Sequence, residues 1–142
     1  MESALLGLVL DSTVVIAAER RKLTLDQVIE TVQKRVGDIP IVLCSLTIAE
    51  VGHGIYRANT PEIRNRRRGF LDELKAAIPI YPVTEATAEI VARIGGEEAA
   101  KGIQLPIGDL IIGACALELG YAVGTGNLRD FGRIPGLMVL PF

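Results

Sequence analysis

The pattern of apolar and polar positions along the chain predicts strands and helices in alternation. The continuous apolar runs LLGLVL (5–10) and IVLC (41–44) are typical of strands that are buried on both faces. The segment IPIYPV (78–83) is predicted to be a short extended piece, YAVGT (121–125) a strand and LMVL (137–140) an edge strand.

Helical spacing of apolar residues accounts for most of the remaining chain. The predicted helices cover residues 12–20, 25–36, 47–58, 61–78, 84–100 and 106–120, with a weak point at the Gly95–Gly96 pair. This alternation predicts a three-layer α/β/α fold with a mainly parallel, twisted sheet of four to five strands. Since no linker or repeat interrupts it, we expect a single domain over residues 1–142.

One helix carries an acid that the fold does not require. The segment PIGDLIIGACALELG (106–120) places Asp109 at the start of an almost wholly apolar run. A helix that is apolar on every face is normally buried. An ionised carboxylate entering such a place is costly unless it is paired or holds a metal.

Four acids from distant parts of the sequence are predicted to meet at one edge of the sheet. Asp11 ends the first strand, Glu50 lies in the first turn after the second strand, and Asp109 begins its helix. Asp130 lies a few residues after the strand YAVGT. Helices in such a fold begin where parallel strands end, and ligands bind along that edge. We call these four residues the acid cluster.

Each acid taken alone also has a structural explanation. Thr47 and Glu50 fit a capping box, and Asp109 could favour the positive end of its helix dipole. Asp11 could be the N-cap of the following helix, and Asp130 could be a turn residue in NLRDFG. Capping does not explain why all four acids come to the same edge.

Clustered carboxylates repel one another, and hard divalent cations such as Mg²⁺ or Mn²⁺ supply the compensation. Two such ions about 4 Å apart can activate a water and stabilise the leaving oxygen of a phosphodiester. No histidine or cysteine is needed as a soft ligand. His53, the single histidine, is interpreted as a structural or surface residue.

The composition of the chain bears on its possible partners, its cellular compartment and membrane insertion. The net charge of −2 neither indicates nor excludes a nucleic-acid partner, and the lack of tryptophan argues against base-stacking platforms. Cys44 and Cys115 lie in apolar runs and are predicted to be buried thiols of a cytoplasmic protein. The N-terminal apolar run is too short to span a membrane, and no export signal is seen.

Four segments taken together resemble a known family. LVLDSTVVIA, SLTIAE, PIGDLIIGACAL and GTGNLRDFGRIPGL are similar, in this order, to the signature segments of PIN-domain ribonucleases. The order and spacing most resemble the VapC-type toxins of bacterial toxin–antitoxin pairs. The resemblance runs from about Val9 to Pro141 and implies a PIN-like fold. It places the family's acidic residues on Asp11, Glu50 and Asp109.

The resemblance also implies roles for the residues that follow the fourth strand. Thr125 matches a small hydroxyl residue that helps to hold the acids. The fourth acid falls either on position 127, which is Asn127, or on Asp130, and both stay candidates. The implied activity is that of an Mg²⁺- or Mn²⁺-dependent endoribonuclease leaving a 5′-phosphate and a 3′-hydroxyl. The implied partners are RNA, a second copy of the chain in a homodimer, and a small VapB-type antitoxin.

The basic segment EIRNRRRGFLDELK (62–75) offers candidate RNA contacts. Arg64, Arg68 and Lys75 form a stripe beside the apolar arc of a helix, where they could follow a phosphate backbone. The alternative is a solvated face paired with neighbouring acids such as Asp72. Arg67 falls within the apolar arc. Its stem could pack along the core, but we hypothesise that its head points into the cleft.

Other classes fit less well. A haloacid-dehalogenase-type phosphatase needs a second Asp where Thr13 stands, and a response-regulator receiver needs paired acids near the first strand and a late lysine. A structure-specific DNA nuclease normally has a longer chain with a helical arch. The remaining alternative to a ribonuclease is a catalytically degenerate PIN fold that serves as an RNA- or protein-binding module.

Overall fold

The computed structural model of the chain describes residues 5–142, so the first four residues of the predicted 1–142 domain lie outside the description. The strands are β1 (Leu8–Leu10), β2 (Ile41–Cys44), β3 (Ile80–Tyr81), β4 (Ala122–Thr125) and β5 (Val139–Pro141). The helices are α1 (Ser12–Arg20), α2 (Leu25–Val36), α3 (Ser45–Tyr56), α4 (Pro61–Ala77), α5 (Glu85–Ala100), α6 (Ile107–Leu119) and α7 (Leu128–Phe131).

Within residues 5–142 the strands form one five-stranded sheet in the order β3-β2-β1-β4-β5. The four pairings between neighbouring strands are parallel. At the centre, Val9 of β1 lies beside Val42 of β2 and Val123 of β4. The carboxyl ends of the strands therefore share one edge, which confirms the predicted sheet and the edge at which the acids were expected.

Helices cover both faces of the sheet, as the three-layer prediction requires. Leu8 and Leu10 point to one face and belong to a buried cluster with residues of α1 to α4. Val9 points to the other face and packs with residues of α5, α6 and α7. This alternation along β1 follows from the two-residue period of a strand. The central strand is thus buried on both faces, and the α/β/α architecture is confirmed.

Some boundaries of the elements differ from the pattern-based expectation. The first strand begins at Leu8 rather than residue 5, and Leu6 is 68% exposed. The predicted helix over the Gly95–Gly96 pair is confirmed as α5, and Gly95 lies so close to Leu110 of α6 that a Cβ would lie 3.2 Å from the Leu110 Cδ1. The segment NLRDFG contains the short helix α7 rather than only a turn.

Apolar residues on the predicted faces of α2 and α4 lie in the core. Val28, Val32, Phe70 and Leu74 are all buried. The thiols of Cys44 and Cys115 are also buried and free. No helix in the described ranges is long and apolar enough to cross a membrane.

The short helix α7 is attached to the core through Phe131, which has no exposed surface. Gly113 of α6 permits the following loop to approach closely, since a Cβ there would lie 2.7 Å from the Ile134 Cδ1. This packing sets the position of Asp130, which immediately precedes Phe131.

The Phe131→Ala variant should therefore unfold more easily than the wild-type protein. We expect Phe131→Ala to lower the free energy of unfolding by about 3–5 kcal/mol, because it leaves a cavity in a closed core. Leu128→Ala, in the same helix but 45% exposed, should cost less than about 1 kcal/mol. Urea denaturation measures both. Equal losses would show that Phe131 does not anchor α7.

Candidate active site

Asp11 lies at the centre of the candidate site and is only 2% exposed. It follows β1 directly, and its backbone N–H donates to the Gly124 carbonyl of β4 at 2.9 Å. The hydroxyls of Thr13 and Thr125 donate to the same carboxylate oxygen, Oδ2, at 2.7 and 2.8 Å. Asp11 occupies the N-cap position of α1, but its side chain makes no capping hydrogen bond. Asp11 is therefore the N-cap residue, as predicted, but its carboxylate does not cap the helix.

The two hydroxyls are themselves held by backbone amides. The N–H of Gly126 donates to Thr13 Oγ1 at 3.0 Å, and the N–H of Asn127 donates to Thr125 Oγ1 at 2.8 Å. Each hydroxyl accepts one hydrogen bond from a backbone N–H and donates its own O–H to the Asp11 carboxylate. The carboxylate is thus oriented by the loop that leaves β4, and Thr125 lies where the resemblance placed it.

Glu50 lies one turn and a half into α3, and the capping box proposed for it is absent. The helix begins at Ser45 with Cys44 as N-cap, and the buried Thr47 hydroxyl has no hydrogen-bond partner within the described residues. Partial burial raises the pKa of the Glu50 carboxyl. The charge of Asp11 adds to this effect and the Ser12 hydroxyl opposes it. The carboxylate is therefore placed by α3 toward Asp11, not toward its own helix end.

Asp109 lies in the first turn of α6, whose following residues from Leu110 to Ala116 are mostly buried. Its pKa is raised to about 6, first by burial and then by the charges of the other three members of the acid cluster. A Cβ on the preceding Gly108 would lie 3.8 Å from Glu50 Oε2, so the starts of α3 and α6 are close. The largely apolar helix α6 therefore places Asp109 beside the other three members of the acid cluster.

The side chain of Asn127 forms a hydrogen-bond bridge between Asp109 and Asp130. Its side-chain amide donates to Asp109 Oδ2 at 3.2 Å and to Asp130 Oδ2 at 3.0 Å. Asp130, in the first turn of α7, also lies 3.6 Å from the Arg133 guanidinium. Both candidates for the fourth position are therefore present at the site, with the amide between the two carboxylates.

The donor set suits a hard divalent cation. Carboxylate oxygens, hydroxyls and an amide are the ligands that Mg²⁺ and Mn²⁺ prefer. Burial first, and then repulsion by the other acids, raises the pKa of Asp109, and a bound cation would relieve the repulsion. Within residues 5–142, however, no group of three His, Cys, Asp or Glu side chains could hold an ion as it stands. Mg²⁺ is commonly bound through one or two carboxylates and several waters, so the residues present fit the ion.

The three arginines predicted to contact RNA differ in their surroundings. Arg64 is exposed on α4. Arg68 lies 3.4 Å from Asp72, as the solvated-face alternative expects. The head of Arg67 lines a cavity of about 200 Å³ that extends to Glu50, as the hypothesis of a cleft-facing head expects. Their contacts with RNA stay predictions.

Sequence reasoning missed Glu19, a carboxylate on α1 that is only 7% exposed. Arg66 donates to it at 3.2 Å, and the Nε of Arg67 lies 3.8 Å away. A signal was available, because Val15 and Glu19 are four residues apart and share one helix face. The role of Thr13 was also missed. Thr13 lies in the segment LVLDSTVVIA that carries the resemblance, but no role was assigned to its hydroxyl.

Comparison with known proteins identifies relatives over nearly the whole chain. The model of the PIN domain family matches residues 8–137. A ribonuclease VapC1 of Rickettsia felis is 33% identical over 135 residues, covering 95% of this chain and 96% of that protein. A tRNA(fMet)-specific endonuclease VapC of Salmonella typhimurium is 31% identical over 99 residues, covering 68% of this chain and 71% of that one.

A solved structure agrees in fold. VapBC2 of Rickettsia felis, crystallised with a DNA fragment from its promoter, contains a chain that matches with a TM-score of 0.82. The match covers 96% of this chain and 98% of that one at 18% identity. At this identity the likeness supports the architecture and not the residues of the site.

Removing the charge of Asp109 should stabilise the metal-free protein. Its pKa rises from 3.8 to about 6 on folding, so ionisation destabilises the folded state progressively between about pH 4 and pH 6 and fully above that. In EDTA near neutral pH, we expect Asp109→Asn to gain about 1–2 kcal/mol, or about 3–6 °C in Tm. Below about pH 4 the gain should vanish.

Thermal denaturation across this pH range measures the effect, with Glu89→Gln on the exposed face of α5 as the control that should not change. A lower Tm of Asp109→Asn in EDTA would show that the acid stabilises its helix instead.

Proposed function

This chain belongs to the PIN domain family, and from that premise we propose that it is a metal-dependent endoribonuclease, the toxin of a type II toxin–antitoxin pair. The observation that carries the proposal is the acid cluster, whose members come from β1, α3, α6 and α7 to one edge of the sheet. The 33% identity to a ribonuclease over nearly the whole of both chains supports the same activity.

In this proposal some residues of the site bind the metal ion and others position the residues that bind it. Asp11, Glu50 and Asp109 would hold an Mg²⁺ or Mn²⁺ ion, with Asp130 or Asn127 completing the site. When bound, the ion supplies a Lewis acid that activates water and neutralises charge on the phosphate. Thr13 and Thr125 keep the Asp11 carboxylate in one orientation. Hydrolysis at phosphorus then leaves a 5′-phosphate and a 3′-hydroxyl.

The degenerate binding module is the weaker alternative. Its best support would have been a missing fourth acid. Asp130 is present and lies within hydrogen-bonding distance of Asn127, which in turn bonds to Asp109. A binding module has no need to keep four mutually repelling acids at one edge.

Partners follow from the same premise. A small VapB-type antitoxin is the proposed inhibitor, because structural relatives were solved as VapBC complexes. An arginine of that partner would be attracted to the acid cluster. We also propose a homodimer, and the cytoplasm as its compartment, where RNA is present and the thiols of Cys44 and Cys115 stay reduced.

Cleavage of RNA by the purified, antitoxin-free protein tests the proposal. Structured RNAs that include tRNA should be cut with Mg²⁺ or Mn²⁺ and not with EDTA. Asp11→Asn, prepared identically, should lose activity by about 100-fold or more, because it removes a proposed ligand while keeping the side-chain shape. Metal-independent cleavage, or equal cleavage by the variant, would contradict the proposal.

The fourth position can be tested by adding a charge. Asn127→Asp places a further carboxylate between Asp109 and Asp130, so without metal it should lower Tm by about 3–6 °C. With Mg²⁺ present, the stabilisation should exceed that of the wild type, because the site gains a ligand. A variant that loses stability equally with and without Mg²⁺ would place the ion away from Asn127.

A further inference from the structure

A cavity adjoins the acid cluster on the side of α1, α3 and α4. It has a volume of about 200 Å³ and extends to Glu50. We call this space the side cavity. Its remaining walls include the apolar side chains of Ile16 and Val51 and the polar side chains of Glu19, Arg20 and Arg67. A molecule bound at the acid cluster can therefore extend a neighbouring group into it.

The polar side of this cavity is built around a buried charge. Glu19 is 7% exposed, and a buried carboxylate is costly unless it is paired. Arg66 Nε donates to its Oε1 at 3.2 Å, and Arg67 Nε lies 3.8 Å from its Oε2. Folding does not require this arrangement, since an apolar residue on the same helix face would pack without a desolvation cost.

The arrangement fixes the orientation of Arg67. Besides its contact with Glu19, Arg67 donates through Nη1 to the Gly54 carbonyl of α3 at 2.7 Å. A guanidinium is planar and has five N–H donors. These two contacts hold the guanidinium in one place at the cavity wall and leave N–H donors for a ligand. An arginine held in this way is suited to stacking and to directed hydrogen bonds.

The chemistry of the walls matches one nucleotide of RNA. Unstacked bases of single-stranded RNA bind to apolar side chains and to arginine planes, and their edges take directed hydrogen bonds. Ile16 and Val51 supply the apolar wall, and Arg67 supplies the plane and the donors. The exposed Arg20 lies at the rim, where its guanidinium can contact the adjoining phosphate.

We propose that the side cavity binds one ribonucleotide next to the scissile phosphate, with Arg67 as a contact residue and Glu19 as the positioning residue that holds it. The proposal rests on the proposed endoribonuclease function. It adds the place where the enzyme distinguishes one flanking nucleotide from another. An RNA ligand is favoured over a basic side chain of a partner protein, because Glu19 is already paired with Arg66 and Arg67 and the apolar wall of the cavity suits a base.

Glu19→Gln gives a test in which two explanations predict opposite signs. If charge alone matters, removing a negative charge beside the cavity should tighten RNA binding. If Glu19 positions Arg67, the same variant should weaken binding in spite of the gained charge. Asp11→Asn protein in EDTA provides the background, so that RNA is bound without being cut.

The measurement is fluorescence anisotropy with short, labelled single-stranded RNAs that differ in base composition. In the Asp11→Asn background we expect Arg67→Ala to weaken binding by about tenfold and Glu19→Gln by several-fold, as for loss of one well-placed base contact. The rim variant Arg20→Ala, whose site is exposed, should weaken binding by several-fold without a risk to folding. Arg93→Ala removes an exposed α5 arginine paired with Glu97 and should stay within about twofold.

A second readout uses the protein with Asp11 intact. Sequencing of cleaved RNA ends should show a nucleotide preference beside the cut that Arg67→Ala and Glu19→Gln relax and Arg93→Ala retains. A merely structural role for Glu19 would lower Tm and leave this preference unchanged, which would overturn the proposal. Circular dichroism establishes that each variant is folded.

The outcomes separate this proposal from the proposed function. If the protein cleaves RNA normally but Arg67, Glu19 and Arg20 variants bind and cut like Arg93→Ala, the cavity is not a substrate subsite and a side chain of a partner protein is its better occupant. If metal-dependent cleavage is absent but these variants still weaken RNA binding, the nuclease function fails and the subsite stands.

Discussion

Mutual repulsion among four carboxylates is the constraint on which the rest of this structure depends. Burial raises the pKa of Asp109, and the charges of Asp11, Asp130 and Glu50 raise it further. Bringing like charges together costs folding free energy, and a marginally stable domain can carry only a few such costs. The surrounding structure is arranged to tolerate the repulsion. Thr13 and Thr125 donate to Asp11, and the amide of Asn127 lies between Asp109 and Asp130.

The parallel sheet and the apolar helices make this tolerance possible. β1 is buried on both faces and ends at Asp11, so the central acid cannot move away from the cluster. Helix α6 is buried from Leu110 to Ala116 except at Ile111, which anchors the helix turn that carries Asp109 to the core. An apolar run that begins with an acid is thus explained. The core supplies the stability, and the acid at its edge supplies charge to a site that a cation would complete.

The sequence predicted the fold and the positions of the acids better than it predicted the contacts between side chains. Apolar runs and helical spacing predicted the strands and long helices, and the order of strands and helices predicted that Asp11, Glu50 and Asp109 share an edge. The capping explanation of Glu50 failed because α3 begins at Ser45, two residues earlier than expected. The bridge from Asn127 and the ion pair of Glu19 depend on side-chain directions between elements distant in sequence, which local patterns do not encode. Helix α7 follows from the burial of Phe131, a tertiary effect.

The central claim is that the acid cluster binds a divalent cation, and Mn²⁺ binding tests it most directly. Titration of the metal-free protein can be followed by electron paramagnetic resonance, in which free Mn²⁺ gives the signal. The account predicts that wild-type protein removes about one or two Mn²⁺ ions per chain from the free pool, that Mg²⁺ displaces them, and that Asp11→Asn binds far more weakly. Equal free Mn²⁺ signals with wild type and with Asp11→Asn would contradict the account.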